Sequence, residues 1–162
     1  MVIFAVVLLT SSSCISISLT GSSVHKDAKT VSIATFPNNA TLINPSLSQD
    51  FTIALRNKIQ SQTPLNLVNY NGDYEIEGEI INYTNASVAI QGNDIAAMNR
   101  LTITVKVRFV NKLNENENFD QTFSNYVDYS TNENFTAIEN NLVKDITDAL
   151  TDQIFNKAFV NW

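Results

Sequence analysis

Between Lys29 and Phe36 the chain alternates, with Val31 and Ile33 on one side of the pattern, and this predicts a first strand ended by Pro37-Asn38-Asn39. Asn44-Pro45 offers a helix N-cap with proline at the first helical position, and Ser46 with Gln49 offers a capping box one step later. Leu47, Phe51, Ala54, Leu55 and Ile59 follow at helical spacing, predicting a helix to about Gln62 that Pro64 closes. A short strand from Leu65 to Tyr70 runs into Tyr70-Asn71-Gly72-Asp73, an Asn-Gly pair of the hairpin kind. The return strand puts Tyr74, Ile76, Gly78 and Ile80 on one face and Glu75, Glu77 and Glu79 on the other.

A turn around Gln91-Gly92-Asn93-Asp94 introduces the clearest strand. Leu101, Ile103, Val105, Val107 and Phe109 face one way, and Thr102, Thr104, Lys106 and Arg108 face the other. A loop rich in Asn and Glu, from Asn111 to Asn118, leads to a last strand with Phe119, Phe123, Val127 and Tyr129 in alternation. Thr136 with Glu139 forms a second capping box, opening a helix whose apolar stripe is Ile138, Leu142, Ile146, Leu150 and Ile154. The predicted fold is α+β: a two-layer sandwich with a mixed, mainly antiparallel sheet of four to five strands and two helices packed on one face. A single domain over 29–162 accommodates all of it. Burying the five odd-numbered side chains of the best strand contributes roughly 7–15 kcal/mol before entropy. Its charged face is free for other work.

The N-terminus reads as an address. Val2 to Leu9 is an uncharged apolar run of eight residues, too short for a spanning helix and the right length for the core of a secretory signal. Thr10-Ser11-Ser12-Ser13 then lead into Cys14, the only cysteine. Small residues before a cysteine are what lipoprotein signal peptidase requires, and the thiol is the group that receives diacylglycerol. No basic residue precedes the run, and Ser11 stands where a lipobox carries a leucine-like residue. The expected organisation is a signal peptide over 1–13, a lipidated N-terminus and tether over 14–28, and the domain beyond. Several acyl chains at about 0.8 kcal/mol per buried CH₂ would hold the protein firmly on a membrane. No acidic cluster follows the cysteine, which points to the periplasmic face of an outer membrane.

Composition narrows the function. Sixteen acidic against ten basic residues give a net charge of −6, which argues against a nucleic-acid partner. One cysteine and one histidine exclude a disulfide framework and make a His/Cys metal site implausible. His25 stands alone and cannot make a triad without a nucleophile and an orienting acid. Glu75, Glu77 and Glu79 all point one way and read as a solvated face rather than an acid–base pair. The four glycines form no phosphate-cradling loop. Asparagine occurs 22 times, which reads as compositional bias. No cofactor is implied, no metal site is expected, and a non-enzyme is predicted.

Three stretches together carry a family resemblance. They are Phe36-Pro37-Asn38-Asn39-Ala40 with Asn44-Pro45-Ser46-Leu47-Ser48-Gln49, then Ala89 to Asp94 continuing through Ala96 to Phe109, then Ile154 to Trp162. In order and spacing they resemble the lipopolysaccharide-assembly lipoprotein family LptE. The resemblance implies an outer-membrane lipoprotein of the lipopolysaccharide translocon, serving as plug and assembly partner of an LptD-like β-barrel. It also implies assistance to lipopolysaccharide insertion into the outer leaflet. Family members use basic residues against lipid A phosphates; Arg100, Lys106 and Arg108 are the nearest candidates here. The alternative is a periplasm-facing lipoprotein that activates a cell-wall synthase or another envelope assembly factor. A tether of about fourteen residues reaches at most roughly 50 Å, which favours a partner in the same membrane.

Overall fold

The computed structural model describes residues 24–42, 44–88 and 97–160. The predicted signal segment, Cys14 and the turn at Gln91-Gly92-Asn93-Asp94 lie outside the described residues. The elements in order are β1 (Thr30–Ile33), α1 (Leu47–Gln62), β2 (Asn66–Val68), β3 (Tyr74–Val88), β4 (Met98–Asn111), β5 (Phe119–Ser130) and α2 (Phe135–Phe159). The five strands lie in the order β2-β1-β3-β4-β5. β1 is parallel to both of its neighbours, while β3, β4 and β5 form an antiparallel meander. This is the mixed α+β sheet with two helices that the patterning predicts, and it stays open.

The alternation in β4 holds along its whole length: Leu101, Ile103, Val105, Val107 and Phe109 are all buried. They meet the buried sides of α1 (Leu47, Phe51, Leu55, Ile59) and α2 (Leu142, Ile146, Leu150, Ile154) in one core. At one end Tyr74, Phe109 and Phe159 pack with ring centroids 5.3–5.7 Å apart. Gly78 makes room in this layer for Phe36, since a Cβ there would lie 2.5 Å from the Phe36 ring and 2.1 Å from the Lys106 carbonyl oxygen. Among the described residues, no helix is long and apolar enough to cross a membrane.

Three local expectations are corrected. The Asn-Gly segment makes a turn, with Asn71 at a φ of 58°, but not a hairpin. β2 and β3 both run parallel to β1, which lies between them, so they cannot pair antiparallel. The connection crosses close to the β1 backbone instead: a Cβ on Gly72 would sit 2.5 Å from the Ser32 nitrogen. The Asp73 carboxylate fastens this crossing by accepting from the Lys29 and Thr30 N–H groups and the Thr30 hydroxyl at 2.8, 2.9 and 2.8 Å.

The capping boxes are not used. Asn44 Oδ1 accepts from the Ser46 and Leu47 N–H groups at 3.1 and 3.2 Å, and Ser46 makes no side-chain cap bond. At α2, Asn134 accepts from the Thr136 N–H at 3.1 Å. Glu139 is engaged elsewhere, by the Tyr83 hydroxyl at 2.5 Å and Asn44 Nδ2 at 2.9 Å. A longer-range polar demand outcompetes the local one, because a Tyr83 hydroxyl at the core edge needs an acceptor. Burial, and next the bond to Glu139, raise the Tyr83 pKa.

The first strand is also shorter than its pattern. After Ile33 the chain tracks β3 irregularly, with Ala34 N–H donating to Ile76 O and Asn39 N–H to Ile80 O, each at 2.9 Å. β3 continues past Ile80 to Val88, through a register shift between Ile80 and Asn82 that turns Tyr83 inward in place of the even-numbered side chains.

Candidate functional site

The face of the sheet away from the core carries the even-numbered side chains of β4. Register sets Glu77 opposite Arg108, Glu79 opposite Lys106, Asp120 opposite Arg108 and Asp128 opposite Arg100. The predicted basic residues therefore all meet acids. Arg108 Nη1 lies 2.9 Å from Glu77, and Lys106 Nζ lies 3.5 Å from Asp120. Lys112 takes Glu75 at 2.7 Å, and Glu79 accepts from Asn39 Nδ2 at 2.6 Å. These are exposed pairs, each contributing about 0.2–1 kcal/mol at most.

Lys106 and Arg108 border one shallow depression of about 430 Å³, floored by Gly78 and rimmed by Ala34, Pro37, Glu77, Glu79 and Asp120. Their side chains are half or more exposed, at 50% and 62%. Arg100 sits apart, eight positions from Arg108 and so roughly 26 Å along the strand. It is also committed. Its Nε and Nη2 donate to the two oxygens of Asp128 at 2.6 and 2.8 Å, and its guanidinium stacks 3.7 Å over the Tyr126 ring. The bond from Arg100 holds the Asp128 carboxyl below its ordinary range, and the same bond raises the Arg100 pKa.

Of the three candidates, then, two converge and one is occupied. The sequence shows the shared face of Lys106 and Arg108, because period-two spacing defines it. It does not show Asp120, Asp128 or Tyr126, since cross-strand partners depend on register. His25 lies beside the domain entry: its N–H donates to the Tyr74 hydroxyl at 2.9 Å and its Nδ1 accepts from the Asp27 N–H at 3.3 Å. Among the described residues, no three His, Cys, Asp or Glu side chains are placed to hold a metal. The arrangement places two cations, Lys106 and Arg108, among three carboxylates, Glu77, Glu79 and Asp120, on one solvated face.

The model of the family LptE, lipopolysaccharide-assembly, matches residues 28–158 of this chain. No curated protein matches it in sequence. Several solved structures share the fold. Lipoprotein B from Nitrosomonas europaea superposes with a TM-score of 0.56 at 16% identity, covering 84% of this chain and 83% of its own. The rare lipoprotein B from Shewanella oneidensis gives 0.55 at 13% identity, covering 79% and 92%. A minor lipoprotein from Acinetobacter baumannii gives 0.53 at 17% identity, covering 80% and 91%.

Proposed function

The chain belongs to the LptE lipopolysaccharide-assembly family, and from that premise we propose that it is an outer-membrane lipoprotein of the lipopolysaccharide translocon. In this reading Cys14 carries the acyl chains, 1–13 is the signal removed on lipidation, and residues from 14 to the start of the domain tether it to the periplasmic face. The partner is an LptD-like β-barrel, which the domain plugs and helps to assemble, and lipopolysaccharide is the cargo delivered to the outer leaflet.

The observation that carries the reading is the family match over nearly the whole described domain. The polar sheet face supports its lipopolysaccharide side. Lys106 and Arg108, held by exposed carboxylates in bonds of small net worth, are the two cations of this face that lipid A phosphates would engage, in competition with Glu77, Glu79 and Asp120 on the same rim. Arg108 is able to grip phosphate oxygens with two parallel N–H groups. Arg100, spent on Asp128 and Tyr126, is the least available of the three.

Mild detergent extraction tests the partnership. The protein should leave the membrane in a stable complex with a large outer-membrane barrel, identified by mass spectrometry. Recovery as a free monomer, with the barrel in other fractions, would overturn it.

A further inference from the structure

Sheet edges present unpaired backbone donors and acceptors, and folded proteins shorten, charge or cover them. β2, at one end of this sheet, is three residues long. β5, at the other, carries Asp120 and Asp128, and Asn125 Oδ1 blocks the Tyr126 N–H at 2.7 Å. A third edge lies inside the strand order. The segment following β1 accompanies β3 only to Ile80, where Ile80 N–H donates to Pro37 O and Asn39 N–H donates to Ile80 O. From Asn82 to Val88, β3 is paired with β4 alone among the described residues.

Among the described residues this edge is unguarded. It reads Asn-Tyr-Thr-Asn-Ala-Ser-Val, with no charge, proline or glycine, and Thr84 to Ser87 are exposed. Two exposed apolar side chains belong to the segments that part here: Ile81 at the register shift, 41% exposed, and Leu42 just beyond the departing strand, 51% exposed. Ile76 and Ile80, which face the core, turn their backbone groups toward the side of β1. By the same alternation Tyr83, Asn85 and Ser87 turn theirs to the free edge.

We propose that this edge receives one extended segment of the barrel partner by β-augmentation, an inference that rests on the partnership proposed above. The slot is closed at one end by Asn39 and holds about seven residues, roughly 23 Å of strand. The net charge of −6 favours a neutral or basic segment over a second acidic copy at low ionic strength, and the mass of the free chain tests the second copy directly. The segment that fits is neutral or basic and alternates in polarity, with an apolar side chain at its leading end beside Ile81. It comes from outside the closed barrel wall, where strands have both edges paired already.

Amide hydrogen exchange on the detergent-extracted complex, compared with the purified chain alone, tests this. Exchange at Tyr83, Asn85 and Ser87 should slow tenfold or more in the complex, while the outer edge of β5 stays unchanged. Ser87→Pro removes one outward N–H and spares the ladder to β4; it should reduce barrel retention severalfold with an unchanged circular dichroism spectrum. If that variant fails to fold, the exchange map of the native chain still decides. Unchanged exchange with the barrel present would overturn this inference alone. Slowing in both samples would overturn it too, putting a second copy on the edge if the mass is doubled and a segment of the same chain there if it is not. A preparation without the barrel would overturn the partnership and this inference together.

Discussion

Val105→Asp and Thr104→Asp place the same carboxyl group on neighbouring residues and on opposite faces of β4. Val105 is fully buried, pairs with Ile80 and Phe123, and has no polar side chain opposite it on either strand. Losing the buried valine removes about 1.5–3 kcal/mol, and enclosing a carboxyl without a partner costs about 1–3 kcal/mol more even when it takes up a proton. The total, roughly 2.5–6 kcal/mol, rivals the lower end of the 5–15 kcal/mol that holds an average domain folded. Thr104 gives up only a hydroxyl contact with Ser124 Oγ at 2.9 Å on the solvated face, about 0.5–1.5 kcal/mol. The new carboxylate there lies two positions from Lys106, whose charge offsets part of that loss. Urea titrations followed by circular dichroism should show a midpoint far lower for Val105→Asp than for wild type, and one close to wild type for Thr104→Asp. Equal midpoints for the two would refute the assignment of faces, and with it the core.

Lys106→Glu with Arg108→Glu should weaken lipopolysaccharide binding at moderate salt by tenfold or more while leaving the melting temperature nearly unchanged; unaltered binding by the folded variant would return both residues to the solvated face. Cys14→Ser should abolish incorporation of a clickable fatty acid and release a folded domain from the membrane, and persisting label would refute the anchor. Asp73→Ala should cost about 1.5–3 kcal/mol at pH 7, since three donors at the crossing lose a charged acceptor. The bonds from Lys29 and Thr30 lower the Asp73 pKa below 3.8, so its contribution is present above that value and fades as the pH falls through the lowered one. The gap between wild type and variant, measured by denaturant titration, should therefore narrow toward pH 3; a gap that widens in acid would refute the clasp. Gly78→Ala should destabilise by about 1–3 kcal/mol through overpacking against Phe36 and the Lys106 carbonyl, and a neutral effect in thermal melts would show that the layer has slack.

Much of the architecture follows from side-chain period alone. The α1 stripe, the α2 stripe and the two faces of β4 are written in spacing, because a helix or strand exposes its sides at a fixed period and the core accepts only apolar ones. Proline and asparagine mark the element ends for equally local reasons, since Pro45 and Pro64 lack an N–H and Asn44 and Asn134 can accept one. The candidate cations were legible only to the extent that Lys106 and Arg108 share a parity.

What local pattern cannot carry is the choice of neighbour. Tyr70-Asn71-Gly72-Asp73 demanded a turn and obtained one, yet β1, distant in sequence, took the place between the flanking strands. Glu139 stood three residues after Thr136 and still went to Tyr83, whose buried hydroxyl had more to lose without an acceptor. Alternation through Ile80 gave no notice of the register shift that turns Tyr83 inward, beyond which β3 pairs with β4 alone among the described residues. Sequence by itself determined which side chains of α1, α2 and β4 face the core, because that depends on geometry repeated every two or 3.6 residues. Tertiary structure alone decided that Arg100 is spent, that Lys106 and Arg108 share a depression, and that one strand edge stands open among the described residues, because each depends on which distant segments the packed core brings side by side.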